Sequence, residues 1–424
     1  TRWWSSPYWN RDAYYLNTNT GLGESSSIKF RAYYDKYPHA LNEYNAPAQT
    51  NLTAFTPYDD YTWGVSSEYT TNMVPRHALS ASIFFKDDSH KEQRLTFSSG
   101  RLTRTTPWQL DRDRYVSIGI QDVLNIASGL RATVGISMDY LSIIEAQDLD
   151  SKYQIKPFTC ASGTTAVECP MMDKWTYNPL ASISYSVLKT GTFFFSFTQK
   201  NHFPTLADRY LHSGGRALAN PLLEPEYARN YNLGFTYALA DKRTLIKIEV
   251  FRSDVYDAIE YANIYPADSY LCKSLGLSYC TQNINAGEGL HKGAEITIRS
   301  SPLLRLDVVT NYTYLQRSLS GPVVAFPTGT PKHKTVTTAY WRMPGKVLML
   351  GTFRYESGAF TIDKANRIFP ASRFATIDWG MTIPIGEIAS LQGGVKNLLD
   401  RDYYYQEGYP EAGRNFYTNL RFRF

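Results

Sequence analysis

The chain has 424 residues, 20% of them charged, with a net charge of +5 and a mean hydropathy of −0.36. So small a charge, carried by scattered Lys and Arg, excludes a nucleic-acid surface built from basic blocks. No run approaches the roughly 18 apolar residues that a membrane-spanning helix requires.

Aromatic residues make up 15% of the chain, led by 33 tyrosines. That bias suits a wall of strands crossing a membrane, where rings sit at the interfaces and every second residue faces water. In chain order the alternation is plain. Ile28, Phe30, Ala32 and Tyr34 oppose Lys29, Arg31, Tyr33 and Asp35. Leu130, Ala132, Val134, Ile136, Met138 and Tyr140 oppose Arg131, Thr133, Gly135, Ser137 and Asp139. Tyr231, Leu233, Phe235 and Tyr237 oppose Asn232, Gly234 and Thr236; Ile246, Ile248 and Val250 oppose Lys247 and Glu249; Leu304, Leu306, Val308 and Tyr312 oppose Arg305, Asp307 and Asn311. Side chains alternate across a strand, so each segment has one apolar and one polar face.

The pattern predicts about 17 strands, near 12–20, 27–37, 58–70, 77–88, 109–124, 130–145, 178–188, 192–201, 227–239, 244–259, 286–300, 303–316, 332–342, 347–357, 374–384, 389–398 and 414–424. Short turns alternate with long connections at 38–57, 89–108, 146–177, 202–226, 260–285, 317–331, 358–373 and 399–413. Strict short–long alternation marks an all-β fold: a transmembrane antiparallel up-and-down β-barrel with short periplasmic turns and long extracellular loops. Cys160/Cys169 and Cys272/Cys280 are two local pairs without zinc spacing, read as loop disulfides of an oxidising compartment, with free thiols as the alternative. In the last strand, Phe416, Leu420, Phe422 and Phe424 share an apolar face opposite Arg421 and Arg423. If that strand ends at the periplasm, every long connection, and with it each cysteine pair, is extracellular. Counting back gives an odd number of strands, where bacterial single-chain barrels normally have an even one, so the chain is expected to lack the front of its barrel.

Catalytic signals are weak. There is no HExxH, GxSxG or phosphate-loop pattern, and Asp111, Asp113, Asp148 and Asp150 lack the Gly and Glu of a calcium loop. An outer-membrane enzyme would need clustered Asp/His or Ser/His, and a passive porin an even strand count. The reading is therefore of a non-enzyme that needs no cofactor.

Several stretches resemble a known family. Gly394-Val395-Lys396-Asn397-Leu398-Leu399-Asp400-Arg401-Asp402-Tyr403, then Gly408-Tyr409-Pro410, Gly413-Arg414-Asn415-Phe416 and the terminal Phe424, are similar to the C-terminal signature of TonB-dependent outer-membrane receptors. Asn220-Pro221 with Leu223-Glu224-Pro225-Glu226, Gly293-Ala294-Glu295, and Thr330-Pro331-Lys332-His333 resemble further segments of that family, as do Tyr8-Trp9-Asn10-Arg11 and Tyr33-Tyr34-Asp35-Lys36. The resemblance spans the whole chain. It implies a 22-stranded barrel with a plugged lumen, of which residues 1–424 would supply strands 6–22, without plug domain or first strands. It also implies a bacterial outer-membrane protein that imports a scarce ligand, most often a ferric siderophore, with cobalamin, haem or another nutrient as alternatives. The implied partners are the TonB–ExbB–ExbD complex, reached through the absent N-terminal part, outer-membrane lipid and lipopolysaccharide, and the barrel-assembly machinery.

Loop chemistry suggests where such a ligand would be held. The connection 202–226 carries His202, Arg209, Tyr210, His212 and Arg216, and the last one carries Tyr404 and Tyr409. Tyrosine offers a flat face and a hydroxyl, and Arg pairs bidentately with anionic oxygens. Against this, Tyr403–Tyr405 suits an interfacial girdle, Arg414 suits a brace on the last strand, and His202 and His212 lie too far apart for a convincing metal site.

Overall fold

In a computed structural model, residues 3–423 are described except 150–151, 163–164, 170–172, 188–189, 211–216, 240–242, 266, 268, 270–271, 274–275, 277, 321–328, 363–367, 372 and 407–408. His212, Arg216 and Phe424 lie outside the described residues.

Seventeen long strands run in sequence: β1 (Asp12–Gly21), β2 (Ser26–Tyr44), β3 (Leu52–Thr71), β4 (His77–Glu92), β5 (Gln109–Ala127), β6 (Leu130–Leu149), β7 (Lys174–Val187), β8 (Gly191–His202), β9 (Glu226–Ala238), β10 (Thr244–Tyr256), β11 (Glu288–Leu303), β12 (Leu306–Ser320), β13 (His333–Arg342), β14 (Leu348–Ser357), β15 (Phe374–Ile385), β16 (Ala389–Lys396) and β17 (Asn415–Phe422). Each pairs antiparallel with the next. This is the up-and-down barrel wall that the alternation predicts. Among the described residues, β1 pairs only with β2 and the short strand of residues 3–5 pairs with the top of β2, while β17 pairs only with β16. Among the described residues, no helix is long and apolar enough to cross a membrane.

The two faces of the sheet differ as their residues require. Phe30, Ile83, Ile118, Ile120, Val134, Ile136, Phe195, Leu233 and Val250 stand exposed on the outer face, which only lipid can cover favourably. Above them lies an aromatic row: Tyr34 stacks on Tyr61 with ring centroids 6.4 Å apart, Trp63 meets Phe85 at 5.0 Å, and Tyr140 meets Trp175 at 4.3 Å. Higher still, the outer face turns ionic. Lys36 pairs with Asp59 at 3.0 Å, and the fully enclosed Asp87 carboxylate accepts hydrogen bonds from Arg112 and Arg114 at 2.8 and 2.9 Å. This change of chemistry marks the upper edge of the membrane.

The wall is uneven in height. Strands β2, β3, β5 and β6 have 19, 20, 19 and 20 residues, whereas β13, β14, β16 and β17 have 10, 10, 8 and 8. The expected long connection 38–57 is therefore mostly strand, with only residues 45–51 between β2 and β3, and much of 89–108 is likewise strand. Above the membrane both faces meet water or other protein, so the apolar–polar alternation that marks a strand lower down disappears.

The C-terminal motif is explained by packing at the top of β15–β17. A Cβ on Gly394 would lie 2.5 Å from the Trp379 carbonyl and 2.8 Å from the Tyr417 hydroxyl, so only glycine leaves room for that ring. Asn397, in left-handed backbone at φ 49°, is buried. Its side chain donates to the carbonyls of Arg401 (2.8 Å) and Ala412 (3.3 Å) and accepts from the Arg401 N–H (2.9 Å). Asp400 accepts from the Arg414 N–H at 2.6 Å, so the Arg414 backbone helps hold the last connection against the final strand.

Candidate functional site: an aromatic wall under a folded loop cap

The upper inner face of β2–β4 carries a chain of rings that starts on the N-terminal segment. Trp9 lies edge-on to Tyr37 at 5.9 Å and tilted over His39 at 5.8 Å; His39 stacks on Tyr58 at 4.5 Å; Tyr58 meets His90 at 5.7 Å. Strand period two puts Tyr37 and His39 on one face, and antiparallel register sets His39 directly opposite Tyr58. His90 Nδ1 sits 2.8 Å from Asp60 and Nε2 sits 3.8 Å from Glu92. Burial alone would lower this imidazole, but its bonds to the two carboxylates outweigh burial and push it up to about 10. It is a charged group at neutral pH. Close by, Arg94 grips Glu43 with its two terminal guanidinium nitrogens, at 2.6 and 2.9 Å.

A cap made from three neighbouring loops leans on the adjoining strand β5. After β8 the chain turns inward, placing Phe203 edge-on to Tyr115 of β5 at 5.8 Å. It then forms the short helix α1 (Leu206–Tyr210), opened by a reciprocal exchange between Thr205 and Asp208. Arg209 is 1% exposed and engages the Asp113 carboxylate of β5. Burial pushes Asp113 up to about 6 against the opposing pull of Arg209, and burial likewise pushes Asp111 up to about 7. Tyr210 stacks on Phe158 at 4.8 Å in a small core with Leu206 and the Cys160–Cys169 disulfide. A cavity of about 210 Å³ opens beside it, between the top of β6, Ile155–Phe158, Tyr210 and Pro221.

The other side of the cap is stitched by backbone. Residues 217–218 add in parallel to the strand Cys280–Asn285, which pairs with Ile259–Ile264, and the Cys272–Cys280 disulfide closes that hairpin. Asn220 donates to the Asn283 carbonyl and Asn283 to the Asp208 carbonyl, at 2.8 and 3.0 Å. Both cysteine pairs thus form disulfides, and both brace the cap.

The candidate ligand residues fall into separate roles. Arg209 and Tyr210 are enclosed inside the cap, with Arg209 Nη1 donating to the Tyr210 hydroxyl at 3.2 Å. His202 ends β8 half-exposed, 3.4 Å from Glu226; that contact raises the imidazole and lowers the carboxyl below its usual range. Tyr404 and the exposed Tyr409 belong to a small hairpin between β16 and β17, eight strands further round the sheet. Sequence reasoning misses Trp9, Tyr37, His39, Tyr58 and His90, although the i, i+2 spacing of Tyr37 and His39 is a signal. It also misses two inner-face arginines, Arg317 of β12 and Arg354 of β14. Arg317 donates to His291 and Thr330 at 3.3 and 3.0 Å, and Arg354 donates to the Tyr405 hydroxyl at 3.0 Å. Among the described residues, no group of three or more His, Cys, Asp or Glu is placed to hold a metal ion. What the arrangement offers is a vestibule with flat aromatic and imidazole faces on one side, guanidinium groups on the other, and a cross-linked cap between them.

Comparison with known proteins agrees with this architecture. The family model described as "TonB dependent receptor-like, beta-barrel" matches residues 1–398. The iron-regulated outer membrane virulence protein of Vibrio cholerae serotype O1 is 27% identical over 225 residues, which is 50% of this chain and 33% of that relative. Among solved structures, the copper transporter OprC superposes with a TM-score of 0.79 at 14% identity, over 99% of this chain and 66% of that one. The pyoverdine outer membrane receptor FpvA of Pseudomonas aeruginosa PAO1 gives 0.70 at 15% identity, over 98% and 62%. The ferric citrate transporter FecA gives 0.71 at 14%, over 97% and 60%. The chain therefore spans less than two thirds of the length of each of these proteins.

Proposed function

The chain belongs to the TonB-dependent receptor-like β-barrel family, and from that premise we propose that it forms most of the wall and the ligand vestibule of an outer-membrane receptor for active uptake of an iron chelate, with a ferric siderophore as the cargo. Its place is the bacterial outer membrane, and the family is one of transport receptors rather than enzymes. The observation that carries the reading is the cap. The loop after β8 folds inward onto Tyr115 and Asp113 of β5, held by two neighbouring disulfide-braced loops, an arrangement suited to holding a bulky ligand away from bulk water. The iron-regulated Vibrio relative supports iron as the cargo.

In this reading Trp9, Tyr37 and Tyr58 present ring faces to the ligand. Arg317 and Arg354 present charge-assisted donors to its anionic oxygens from the opposite rim. His202, Tyr404 and Tyr409 stand at the rim as further contacts, while His212 and Arg216, outside the described residues, are ligand candidates by their chemistry alone. Arg209 and Tyr210 act indirectly, by fixing the cap. Energy would come from TonB with ExbB and ExbD, and insertion would rely on the barrel-assembly machinery acting on the terminal strand bearing Phe416, Leu420 and Phe422.

The test is growth of an iron-starved host supplied with single iron chelates, with the full-length receptor as the only route and with TonB present or deleted. One chelate should rescue growth only when TonB is present, and Trp9→Ala with Tyr58→Ala should raise its half-saturating concentration by about tenfold or more, the loss of two stacking contacts. Rescue that persists without TonB would overturn the transport reading.

A further inference from the structure

The docking of α1 on the tall wall carries a charge imbalance that ligand contact does not require. Asp111 and Asp113 stand two residues apart on the inner face of β5, and both are 5% exposed. Arg209 of α1 engages Asp113, Tyr210 lies within electrostatic reach of both carboxyls, and Ala146 of β6 stands opposite Asp111.

One enclosed cation therefore meets two enclosed carboxyls. The second oxygen of Asp113, Oδ1, has no hydrogen-bond partner among the described residues. Asp111 makes no ion pair among the described residues, and its Oδ1 accepts the Gln147 N–H at 3.0 Å. The other cations that face the pair are taken. On β4, Lys86 binds Asp88 at 3.1 Å, and His90 is shared between Asp60 and Glu92. Beyond Ala146 on β6, Lys156 is held by Asp148 at 2.8 Å. Two ionised carboxylates closed in with one guanidinium would leave a net negative charge out of contact with water, and a bound proton removes it.

We propose that docking of α1 onto β5 takes up one proton from water, held by the Asp111–Asp113 pair and resting chiefly on Asp111, the member without a cation. The proton returns to water when the helix lifts. Burial raises both carboxyls, Asp111 to about 7 and Asp113 to about 6. A carboxyl raised on docking stabilises the docked form fully below its ordinary value of about 3.9, and that stabilisation is lost as pH rises through the raised values. Acid thus tightens the cap and alkali loosens it, whatever ligand the vestibule holds.

Hydrogen exchange in the full-length receptor, corrected for intrinsic rate, tests the coupling. The Arg209 and Asn220 amides report on docking, because they donate to the Thr205 and Arg209 carbonyls. Between about pH 5 and pH 8 their wild-type protection should fall about tenfold or more, while the amides of β9 stay level. Asp111→Asn keeps the oxygen that accepts from Gln147 and removes the charge. It should hold its acid-side protection at pH 8, with a profile flat to within about threefold. A flat wild-type profile, or the full wild-type slope in Asp111→Asn, would overturn the proposal. If the Asn variant lacks the heat-resistant migration of a folded barrel, infrared difference spectra of the wild type decide instead. A protonated-carboxyl band should disappear over the same pH range as the protection, and no such band would equally sink the idea.

Discussion

The tall side of the wall, β2–β6, and the short side, β13–β17, are built on the same membrane-crossing ladder and differ above it. The tall strands rise past the aromatic girdle and carry there a dense set of paired charges and stacked rings, including Asp87 with its two arginines and His90 with its two carboxylates. The short strands stop near the girdle, and the chain continues as small hairpins, such as Tyr404–Gln406 with Tyr409–Pro410, that lie outside the main sheet. A tall ladder gives loops a rigid surface to fold against, so the cap leans on β5 through Arg209 and Asp113. The short side offers the inner-face Arg354, which donates to Tyr405 of the last hairpin. Paired charges and stacked rings are thus concentrated on one side of the vestibule.

The largest expected effect tests whether the tall wall holds the cap. Asp113→Ala leaves the Arg209 guanidinium enclosed and unpaired, which costs about 3–5 kcal/mol, whereas replacing the pair together by Leu and Met should be nearly neutral. Limited proteolysis in the 203–225 connection should accelerate more than a hundredfold in the single variant and little in the double, with heat-resistant electrophoretic migration of the barrel unchanged in both. Equal proteolysis of wild type and Asp113→Ala would show that the cap is held elsewhere.

Next comes the covalent brace. Cys160→Ser with Cys169→Ser should loosen the connection between β6 and β7, which carries both cysteines and packs on Tyr210, by about 2–3 kcal/mol, the chain-entropy value for so short a loop. The same proteolysis assay reads it, and the short-side hairpin should be indifferent.

A pH dependence separates the two sides further. His90 is raised in the folded protein above its ordinary value near 6.5, so its stabilisation is complete below that value and is lost progressively as pH rises towards about 10. Hydrogen exchange in the upper parts of β3 and β4, corrected for intrinsic rate, should therefore lose protection across that window in the wild type. His90→Gln should flatten the dependence, while β13 and β14 should be alike in both proteins.

The smallest effect belongs to the exposed outer pair. Lys36→Met should change stability by less than about 1 kcal/mol, because solvent screens an ion pair this open. A larger shift in the denaturant midpoint would mean that the charged band above the girdle bears more of the tall wall than its exposure suggests.

Much of this molecule is legible in its amino-acid sequence. Ile28–Tyr34, Leu130–Tyr140 and Tyr231–Tyr237 alternate because lipid lies on one side and a wet lumen on the other, and each is part of a strand where that alternation predicts one. Both disulfides follow from local cysteine spacing. The candidate site is legible only in part. Loop chemistry points to Arg209 and Tyr210 as ligand contacts, but both are enclosed, because Arg209 meets Asp113 from 96 residues away along the chain. His39, Tyr58 and His90 escape notice for the opposite reason: they lie in segments that read wholly or partly as loop, or at the edge of one.

The division has a physical cause. Within the membrane, two solvents of different polarity act on alternate residues, so sequence alone determined the number, direction and facing of the strands there. Above the membrane both faces meet water or protein, and no local pattern records whether the chain continues as sheet. The height of β2–β6, the inward fold of the cap and the gathering of Trp9, His39, Tyr58 and His90 were decided by contacts between distant parts of the chain, and only the tertiary structure contains them.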